Sequence, residues 1–311
     1  MTARITAAAT RAERIAALGY DYGTQEKVEL EACNLCGSRG WTILTHRDRY
    51  NFPAQAVACW RCGLAALNPR MTAAGYAAFY AGVYRPLVSA YHGRRIDAET
   101  IQDEQREYAA AFSDFAAPFM AGAGAARRWM LDVGGSTGVV AAHFARRFGL
   151  DAVVLDPAPA ETAVAERSGI HAVTALLEEW EADRPYDVVA LFQTIDHLLD
   201  VAGALAKLRR AIAGAGVLLL DIVDFRAAYL RNNSVEEAVK IDHPFYLVQE
   251  TTEALLARAG FEPLRKSYAP DHLHIAFACR PCAPRPDALP DTAWVQRFLD
   301  EVRRVQNAGP A

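Results

Sequence analysis

From residue 128 onward, short apolar runs alternate with stretches whose apolar residues recur at helical spacing. Apolar runs bounded by Gly, Pro or polar residues are typical of strands buried on both faces. Alternation of such strands with helices predicts an α/β fold with a doubly wound parallel sheet. The predicted strands are 129–133, 152–155, 171–173, 187–192 and 217–221. The predicted helices among them are 138–148, 158–168 and 200–212.

The flanking regions give further elements. A helix over 251–259 is followed by strands over 261–267 and 273–279, and an amphipathic helix is predicted over 292–307. Upstream, an Ala-rich helix is predicted over 1–19. A second upstream helix is expected over 97–121, with Asp97 as its N-cap because a short acceptor side chain can bond the first free amides.

Four cysteines form two C-x-x-C-G knuckles, one starting at Cys33 and one at Cys59, with 22 residues between them. The glycine after each pair permits the tight turn that brings two thiolates to one side. Two knuckles supply four sulfurs for a closed tetrahedral site, which predicts a structural Zn²⁺ in a ribbon. The predicted zinc ligands are Cys33, Cys36, Cys59 and Cys62.

These patterns divide the chain. The predicted parts are a helical segment 1–29, a zinc ribbon 30–70, a helical linker or lid 71–125, a catalytic domain 126–280 and a tail with a helix 281–311. The linker is rich in tyrosine and phenylalanine, which either pack it onto the catalytic domain or form a substrate lid.

Composition and charge limit the classes of protein to which the chain can belong. Hydrophobic residues at 52% and charged residues at 23% are ordinary for a globular protein, and a net charge of −4 disfavours nucleic acid as a partner. No apolar run reaches the ~18 residues of a membrane span, and the N-terminus lacks the apolar core of a secretory signal. Because six cysteines without a signal favour a reducing compartment, we expect a cytoplasmic location.

The first predicted strand ends in a glycine-rich turn, Asp132-x-Gly134-x-x-x-Gly138. Glycine accepts positive φ and lets a ligand approach the backbone. A dinucleotide fingerprint ending at Gly138 would need glycine at position 133, where Val133 stands. The turn therefore indicates a cofactor other than a dinucleotide.

The same turn resembles motif I of class I S-adenosylmethionine (SAM) methyltransferases, usually D-x-G-x-G-x-G, with Ser136 at the middle glycine. The resemblance implies a Rossmann-like sheet and SAM as cofactor. Asp156, at the end of the second strand, would accept hydrogen bonds from both ribose hydroxyls. The cofactor-binding residues that it implies are Asp132, Gly134, Gly135, Ser136, Gly138, Asp156, Leu177 near the adenine, and Gln193 at the end of the fourth strand.

A ribbon ahead of such a domain is similar to a bacterial group of methyltransferases with an N-terminal zinc ribbon. That resemblance covers most of residues 31–280, and the group includes enzymes acting on sugars and on cell-surface or natural-product intermediates. Its sugar C-methyltransferases carry Y-H-E-H followed by an aromatic residue, where this chain has Asp242 and His243 at the last two positions and Lys240 and Ile241 at the first two.

Methyl transfer to a hydroxyl or carbon acid requires removal of a proton, which suits a histidine beside a carboxylate. By the resemblance, Asp242 and His243 would act as orienter and base, and His197 follows the fourth strand in the position of the family's E-H-x-x-D motif. The predicted catalytic residues are therefore His243, Asp242 and His197, although a structural role stays open for both histidines. We expect His272 and His274 to contact substrate or lie on the surface, with a metal site as the weaker alternative.

Together these features predict a SAM-dependent methyltransferase that acts on the oxygen or carbon of a small-molecule acceptor, such as a sugar or nucleotide-sugar. Two alternatives stay open. The ribbon could read RNA in an RNA methyltransferase, or the chain could be an inactive scaffold that has lost catalysis. The sequence does not specify the oligomeric state.

Overall fold

The computed structural model describes residues 9–120 and 128–308. The chain divides into two compact units, which we call the ribbon unit and the sheet unit. The ribbon unit comprises the described parts of 1–101, 225–246 and 290–311, and the sheet unit those of 102–224 and 247–289. The predicted division instead kept 225–246 within the catalytic domain.

Strands and helices are numbered in chain order. The strands are β1 (Lys27–Val28), β2 (Trp41–Thr45), β3 (Ala56–Cys59), β4 (Ala65–Leu67), β5 (Arg70–Met71), β6 (Arg128–Val133), β7 (Leu150–Asp156), β8 (His171–Thr174), β9 (Tyr186–Leu191), β10 (Ile212–Val223), β11 (Phe245–Tyr246), β12 (Phe261–Tyr268) and β13 (His274–Pro281). The helices are α1 (Arg11–Ala16), α2 (Ala73–Gly82), α3 (Tyr84–His92), α4 (Gln102–Met120), α5 (Val139–Phe148), α6 (Pro159–Arg167), α7 (Val201–Ala211), α8 (Phe225–Asn232), α9 (Gln249–Ala259) and α10 (Thr292–Ala308).

The sheet unit contains a seven-stranded sheet in the order β12-β13-β10-β9-β6-β7-β8. Five neighbouring strands, from β10 to β8, are parallel, and β13 lies antiparallel between β10 and β12. This topology confirms the predicted Rossmann-like class I methyltransferase fold, with the last two predicted strands, β12 and β13, at one edge of the sheet. Strand β10 begins earlier than predicted, since it pairs with β9 on both sides of a register shift between Ile212 and Val217.

Helix α4 packs on one face of this sheet. Phe112, Ala116 and Met120 join a buried cluster with Phe144 of α5 and Leu219 of β10. The helix begins at Gln102, so the prediction that Asp97 caps it was wrong. The Asp97 carboxylate instead accepts from the backbone N–H groups of residues 99 and 100 and closes a separate turn. The predicted boundary near residue 125 lies outside the described residues.

The ribbon unit contains a four-stranded sheet in the order β11-β4-β3-β2, and a small sheet of β1 and β5. Strand β11 comes from the segment 225–246 and pairs antiparallel with β4, which follows the second cysteine knuckle. Helix α10 holds this segment from another side, because Glu301 accepts hydrogen bonds from Arg226 and Tyr229 of α8. Three separate stretches of sequence thus build one unit.

Of the helix predicted over 1–19, the described part is α1, which begins after a capping box formed by Thr10 and Glu13. Residues 1–8 lie outside the described residues. Within the described ranges, no helix combines the length and the apolar character that crossing a membrane requires.

Candidate cofactor site and cysteine cluster

The turn after β6 is tied to the neighbouring strand. The Gly134 N–H donates to the Leu155 carbonyl of β7 at 2.7 Å. Gly134 has φ = +72°, and a Cβ placed there would lie 2.2 Å from Thr194 Oγ1. Ser136, where the motif usually has glycine, also has positive φ, at +50°. The backbone therefore takes a left-handed conformation at Ser136 without a glycine there.

Asp132 lies beneath this turn. Its side chain is buried, and within the described part of the chain neither carboxylate oxygen has a hydrogen-bond partner. Burial, and then the nearby Asp156 charge, raise the pKa of Asp132 to about 8. A buried acceptor without donors matches an ammonium group, such as the one on the methionine part of SAM. Gly135 keeps the space above it clear, since a Cβ at Gly135 would lie 2.8 Å from Asp132 Oδ2.

Asp156, at the carboxyl end of β7, joins the turn to the next helix. One carboxylate oxygen accepts from the Ser136 N–H and the other from the Ala158 N–H, both at 2.9 Å. The Ser136 hydroxyl donates to Glu161 of α6 at 2.6 Å. Each carboxylate oxygen has a second lone pair, so Asp156 can still accept from two ribose hydroxyls. The arrangement fixes the orientation of this carboxylate.

Leu177 and Gln193 lie in the turns after β8 and β9. The Leu177 side chain is buried, and its carbonyl accepts from the Lys207 ammonium at 3.2 Å. Gln193 has φ = +49°, and its backbone N–H donates to Asp221 of β10 at 2.6 Å. His197 is half-buried at the end of a short 3₁₀ turn that follows β9. The sheet unit thus contains all of the predicted cofactor residues and His197.

Asp242 and His243 belong to the ribbon unit, in the segment just before β11. They are 3% and 5% exposed. His243 Nε2 lies 3.6 Å from Asp242 Oδ2 and 3.3 Å from the Lys240 ammonium. Because an ammonium only donates, this Nε2 accepts the hydrogen bond from Lys240.

The segment before β11 is held by side chains that the sequence does not single out for this role. The hydroxyls of Tyr76 and Tyr80 donate to the carbonyls of Ile241 and Asp242 at 3.1 and 3.2 Å. The Asp48 carboxylate accepts from the Ile241 N–H at 3.2 Å. Burial raises the pKa of Asp48 to about 7. These contacts make Tyr76 and Tyr80 packing residues of the ribbon unit.

The sulfur atoms of the four predicted zinc ligands lie close together. Their sulfurs all lie within 4.8 Å of one another, with Cys33 3.5 Å from Cys62 and Cys36 3.5 Å from Cys59. Four sulfurs at the usual Zn–S distance of about 2.3 Å would be roughly 3.8 Å apart. Hydrogen bonding, led by that from Cys33, lowers the pKa of Cys36 to about 7. The four thiols can therefore hold a metal ion in a closed site.

The two knuckles repeat the same backbone pattern. In each, the glycine after the second cysteine donates to the carbonyl of the first cysteine at 2.8 Å, and both glycines have positive φ. The first cysteine of each knuckle also donates to the carbonyl five residues later. The predicted need for glycine after each pair is met at Gly37 (φ = +71°) and Gly63 (φ = +75°).

The sheet unit also has a polar cluster near the start of β13. His274 Nδ1 lies 2.6 Å from Asp271 Oδ2 at the start of β13. Asp221 of β10 is buried, and burial raises its pKa to about 6. The sequence singles out His274 together with His272, whereas the interaction of His274 with Asp221 depends on strand pairing across the sheet.

A family model described as a methyltransferase domain matches residues 101–266, more than half of the chain. No curated protein matches the chain.

Solved structures that match include 1,6-didemethyltoxoflavin-N1-methyltransferase of Burkholderia thailandensis, at 17% identity, with 71% of this chain and 96% of that chain covered and a TM-score of 0.48. A SAM-dependent methyltransferase of Clostridium acetobutylicum matches at 11% identity, with coverages of 66% and 99% and a TM-score of 0.47. The CcbJ methyltransferase of Streptomyces caelestis matches at 14% identity, with coverages of 58% and 90% and a TM-score of 0.45. Identities this low do not transfer an acceptor to this chain.

The family match spans the glycine-rich turn, Asp156 and most of the seven-stranded sheet. The chain therefore belongs to the methyltransferase-domain family and is a SAM-dependent methyltransferase.

Proposed function

We propose that this methyltransferase modifies an oxygen or carbon atom of a small-molecule acceptor, with a sugar or nucleotide-sugar as the leading class. The observation that carries the cofactor half of this proposal is the unpartnered carboxylate of Asp132 beneath a turn kept open by Gly135. The acceptor half rests on the resemblance to zinc-ribbon enzymes and on a net charge of −4, which disfavours an RNA acceptor.

The cofactor supplies an electrophilic methyl group when it is bound. Asp132 would pair with its ammonium group, and Asp156 would accept from its ribose hydroxyls. The turn that contains Gly134, Ser136 and Gly138 would let the amino-acid part come close to its backbone. Leu177 would pack on the adenine, and Gln193 would line the same edge of the sheet.

We propose a structural Zn²⁺ on Cys33, Cys36, Cys59 and Cys62. A site with four thiolate ligands has no open coordination position, so it stabilises the ribbon and does not take part in catalysis. The repeated knuckle geometry and the sulfur distances of 3.5 Å support this role.

We also propose that Asp242, His243 and His197 act in the acceptor step, as the sequence predicts. Because Asp242 and His243 are buried, a functional or structural role fits them better than that of exposed surface groups. His243→Ala should abolish methylation while folding and SAM binding persist. Unchanged turnover in that variant would remove His243 from the acceptor step.

The test has two parts. Calorimetry of the zinc-loaded protein should detect binding of SAM or S-adenosylhomocysteine, and Asp156→Asn should weaken it at least tenfold. Asp103→Asn is the matched control, since Asp103 is 90% exposed on α4 of the same unit. Absence of binding in the wild type would overturn the cofactor assignment.

Labelled SAM should then be screened against sugars, nucleotide-sugars, other hydroxyl compounds and RNA, with the products read by mass spectrometry. Label on a sugar or nucleotide-sugar would support the proposed acceptor. Label on RNA, with an affinity that falls steeply as salt rises, would replace this proposal with the RNA alternative.

A further inference from the structure

The loop before β13 holds a histidine with a defined tautomer. Asp271 Oδ1 accepts from the Leu273 and His274 N–H groups at 2.8 and 3.2 Å, and Oδ2 lies 2.6 Å from His274 Nδ1. Burial alone would raise the pKa of Asp271, but these hydrogen-bond donors hold it below its ordinary value. An ionised carboxylate only accepts, so Nδ1 carries the hydrogen and Nε2 of neutral His274 is an acceptor. No described residue hydrogen-bonds to that Nε2.

This histidine lies at the functional edge of the sheet. His274 pairs with Val223, the last residue of β10, and open α/β sheets bind ligands at the carboxyl ends of their parallel strands. The loop is fixed there, because the Leu273 carbonyl accepts from the Asp224 N–H at 2.7 Å. The His274 side chain is 27% exposed, so a small molecule can reach it.

Helix α4 connects this edge with the cofactor turn. The Thr137 hydroxyl donates to the Gln105 side chain at 2.6 Å. Tyr108, one helical turn further along, lies close enough to Asp221 that burial and then the Asp221 charge raise its pKa well above the ordinary value. Asp221 and Val223 share one face of β10 and His274 is opposite Val223, so Asp221, Tyr108 and His274 line the same face. The carboxylate of Asp221 also interacts with the charge of His274.

Two histidine–carboxylate pairs, Asp242–His243 and Asp271–His274, differ in their polar neighbours. His243 Nε2 lies 3.6 Å from Asp242 Oδ2 and accepts a hydrogen bond from the Lys240 ammonium 3.3 Å away. No ammonium or guanidinium among the described residues hydrogen-bonds to His274 Nε2, and Asp271 would stabilise an imidazolium formed there. In the sheet unit the second ring nitrogen of the pair is therefore open to a substrate hydroxyl.

We propose that Asp271 and His274, in place of Asp242 and His243, form the proton-accepting pair for an acceptor that is methylated on a hydroxyl oxygen, which leaves His243 a binding role in the acceptor step. This inference rests on the proposed function. His274 Nε2 takes the hydroxyl proton as the acceptor oxygen forms its bond to the methyl carbon. The carbon–sulfur bond breaks with its electron pair going to sulfur, which leaves neutral S-adenosylhomocysteine and an imidazolium paired with Asp271. The positioning residue is Asp271, which fixes the ring and its tautomer.

The test compares His274→Gln and Asp271→Asn with the control His171→Gln. His171 forms a histidine–carboxylate pair with Glu166 in the same unit, but its side chain is 67% exposed. The probes are catechol, 4-nitrophenol, methyl glucoside and nicotinamide, whose ring nitrogen carries no proton. Methyl transfer from labelled SAM and affinity for S-adenosylhomocysteine are measured for every variant. Ring ¹⁵N NMR of His274 is measured for the wild type, Asp271→Asn and His171→Gln.

We expect the wild type to methylate at least one hydroxyl probe and to hold His274 as the Nδ1–H tautomer. His274→Gln should lose at least about 100-fold in rate, the usual contribution of a general base, with affinity for S-adenosylhomocysteine within about twofold of wild type. Added imidazole should restore part of the rate in His274→Ala. Asp271→Asn should shift the tautomer and the acidic limb of the pH–rate profile.

Full activity of His274→Gln, an Nε2–H tautomer in the wild type, or methylation of nicotinamide alone would each overturn the inference. Turnover of no hydroxyl probe would overturn the hydroxyl assignment. In all of these cases retained S-adenosylhomocysteine binding leaves the cofactor part of the proposed function standing, and methylation of nicotinamide alone would overturn only its acceptor part. Loss of cofactor binding by the wild type would overturn the proposed function itself.

Discussion

Substitution of Gly134 by alanine should damage the cofactor turn far more than a change of the same type elsewhere. Gly134 and Gly149 both have left-handed backbones, with φ of +72° and +66°. A Cβ at Gly149 meets no atom within 4 Å, whereas one at Gly134 lies 2.2 Å from Oγ1, 2.6 Å from Cγ2 and 2.9 Å from Cβ of Thr194. Because Thr194 Cβ itself is too close, rotation of that side chain cannot relieve the overlap.

The energetic difference follows from these distances. The left-handed backbone costs an alanine about 1–2 kcal/mol at either position. Overpacking adds typically about 1–3 kcal/mol at Gly134 only. We therefore expect a loss of about 1–2 kcal/mol of unfolding free energy for Gly149→Ala and about 2–5 kcal/mol for Gly134→Ala. Any backbone shift that relieves the overlap also pulls the Gly134 N–H away from the Leu155 carbonyl.

The assay measures stability by urea unfolding and cofactor affinity by calorimetry with S-adenosylhomocysteine. Gly149→Ala should bind like the wild type, while Gly134→Ala should bind at least tenfold more weakly, a difference of about 1.4 kcal/mol. Equal losses of stability in the two variants, or normal binding by Gly134→Ala, would refute the steric reasoning.

Three further predictions concern buried groups. Metal analysis should find about one zinc per chain in the wild type and far less in Cys59→Ser, with a lower unfolding midpoint, and a zinc-free wild type would contradict the ribbon assignment. Because the pKa of Asp132 is raised to about 8 from 3.8, the ligand-free fold holds its proton more tightly than the unfolded chain, and the stability from this group is lost as pH rises from about 4 to 8. The unfolding free energy of Asp132→Asn should therefore rise relative to that of the wild type by up to about 1.4 kcal/mol per pH unit over that range. Urea unfolding that gives parallel pH profiles for the two proteins would contradict this prediction. Tyr76→Phe should cost about 1 kcal/mol or more, since the Ile241 carbonyl loses its buried donor, and an unchanged midpoint would show that this hydrogen bond contributes no net stability.

The alternation of strands and helices in the sheet unit could be predicted because each element has its own local signature. The apolar run Val188–Leu191 lies within the strand that it predicts. Gly149 and Gly260 directly follow the helices that they end. The same holds for the cysteine knuckles, where ligand spacing and the following glycine are local features.

Features that depend on distant partners could not be predicted. Phe245 and Tyr246 form a strand because β4, almost 180 residues earlier, offers them an edge. The helix predicted from Asp97 begins later because the Asp97 side chain completes its own turn first. The catalytic roles of His243, Asp242 and His197 stay predictions, since their chemistry depends on an acceptor.

Strand β11 and helix α10 have a consequence for the order of folding during synthesis. The ribbon unit begins upstream of the sheet unit, yet its sheet gains β11 only after the first five strands of the larger sheet have been translated. Helix α10 follows every strand of both sheets, and its Trp294 lies against the knuckle glycine Gly63. The ribbon unit is therefore completed only after the sheet unit has been translated, and a nascent chain that ends before α10 would leave the second knuckle uncovered.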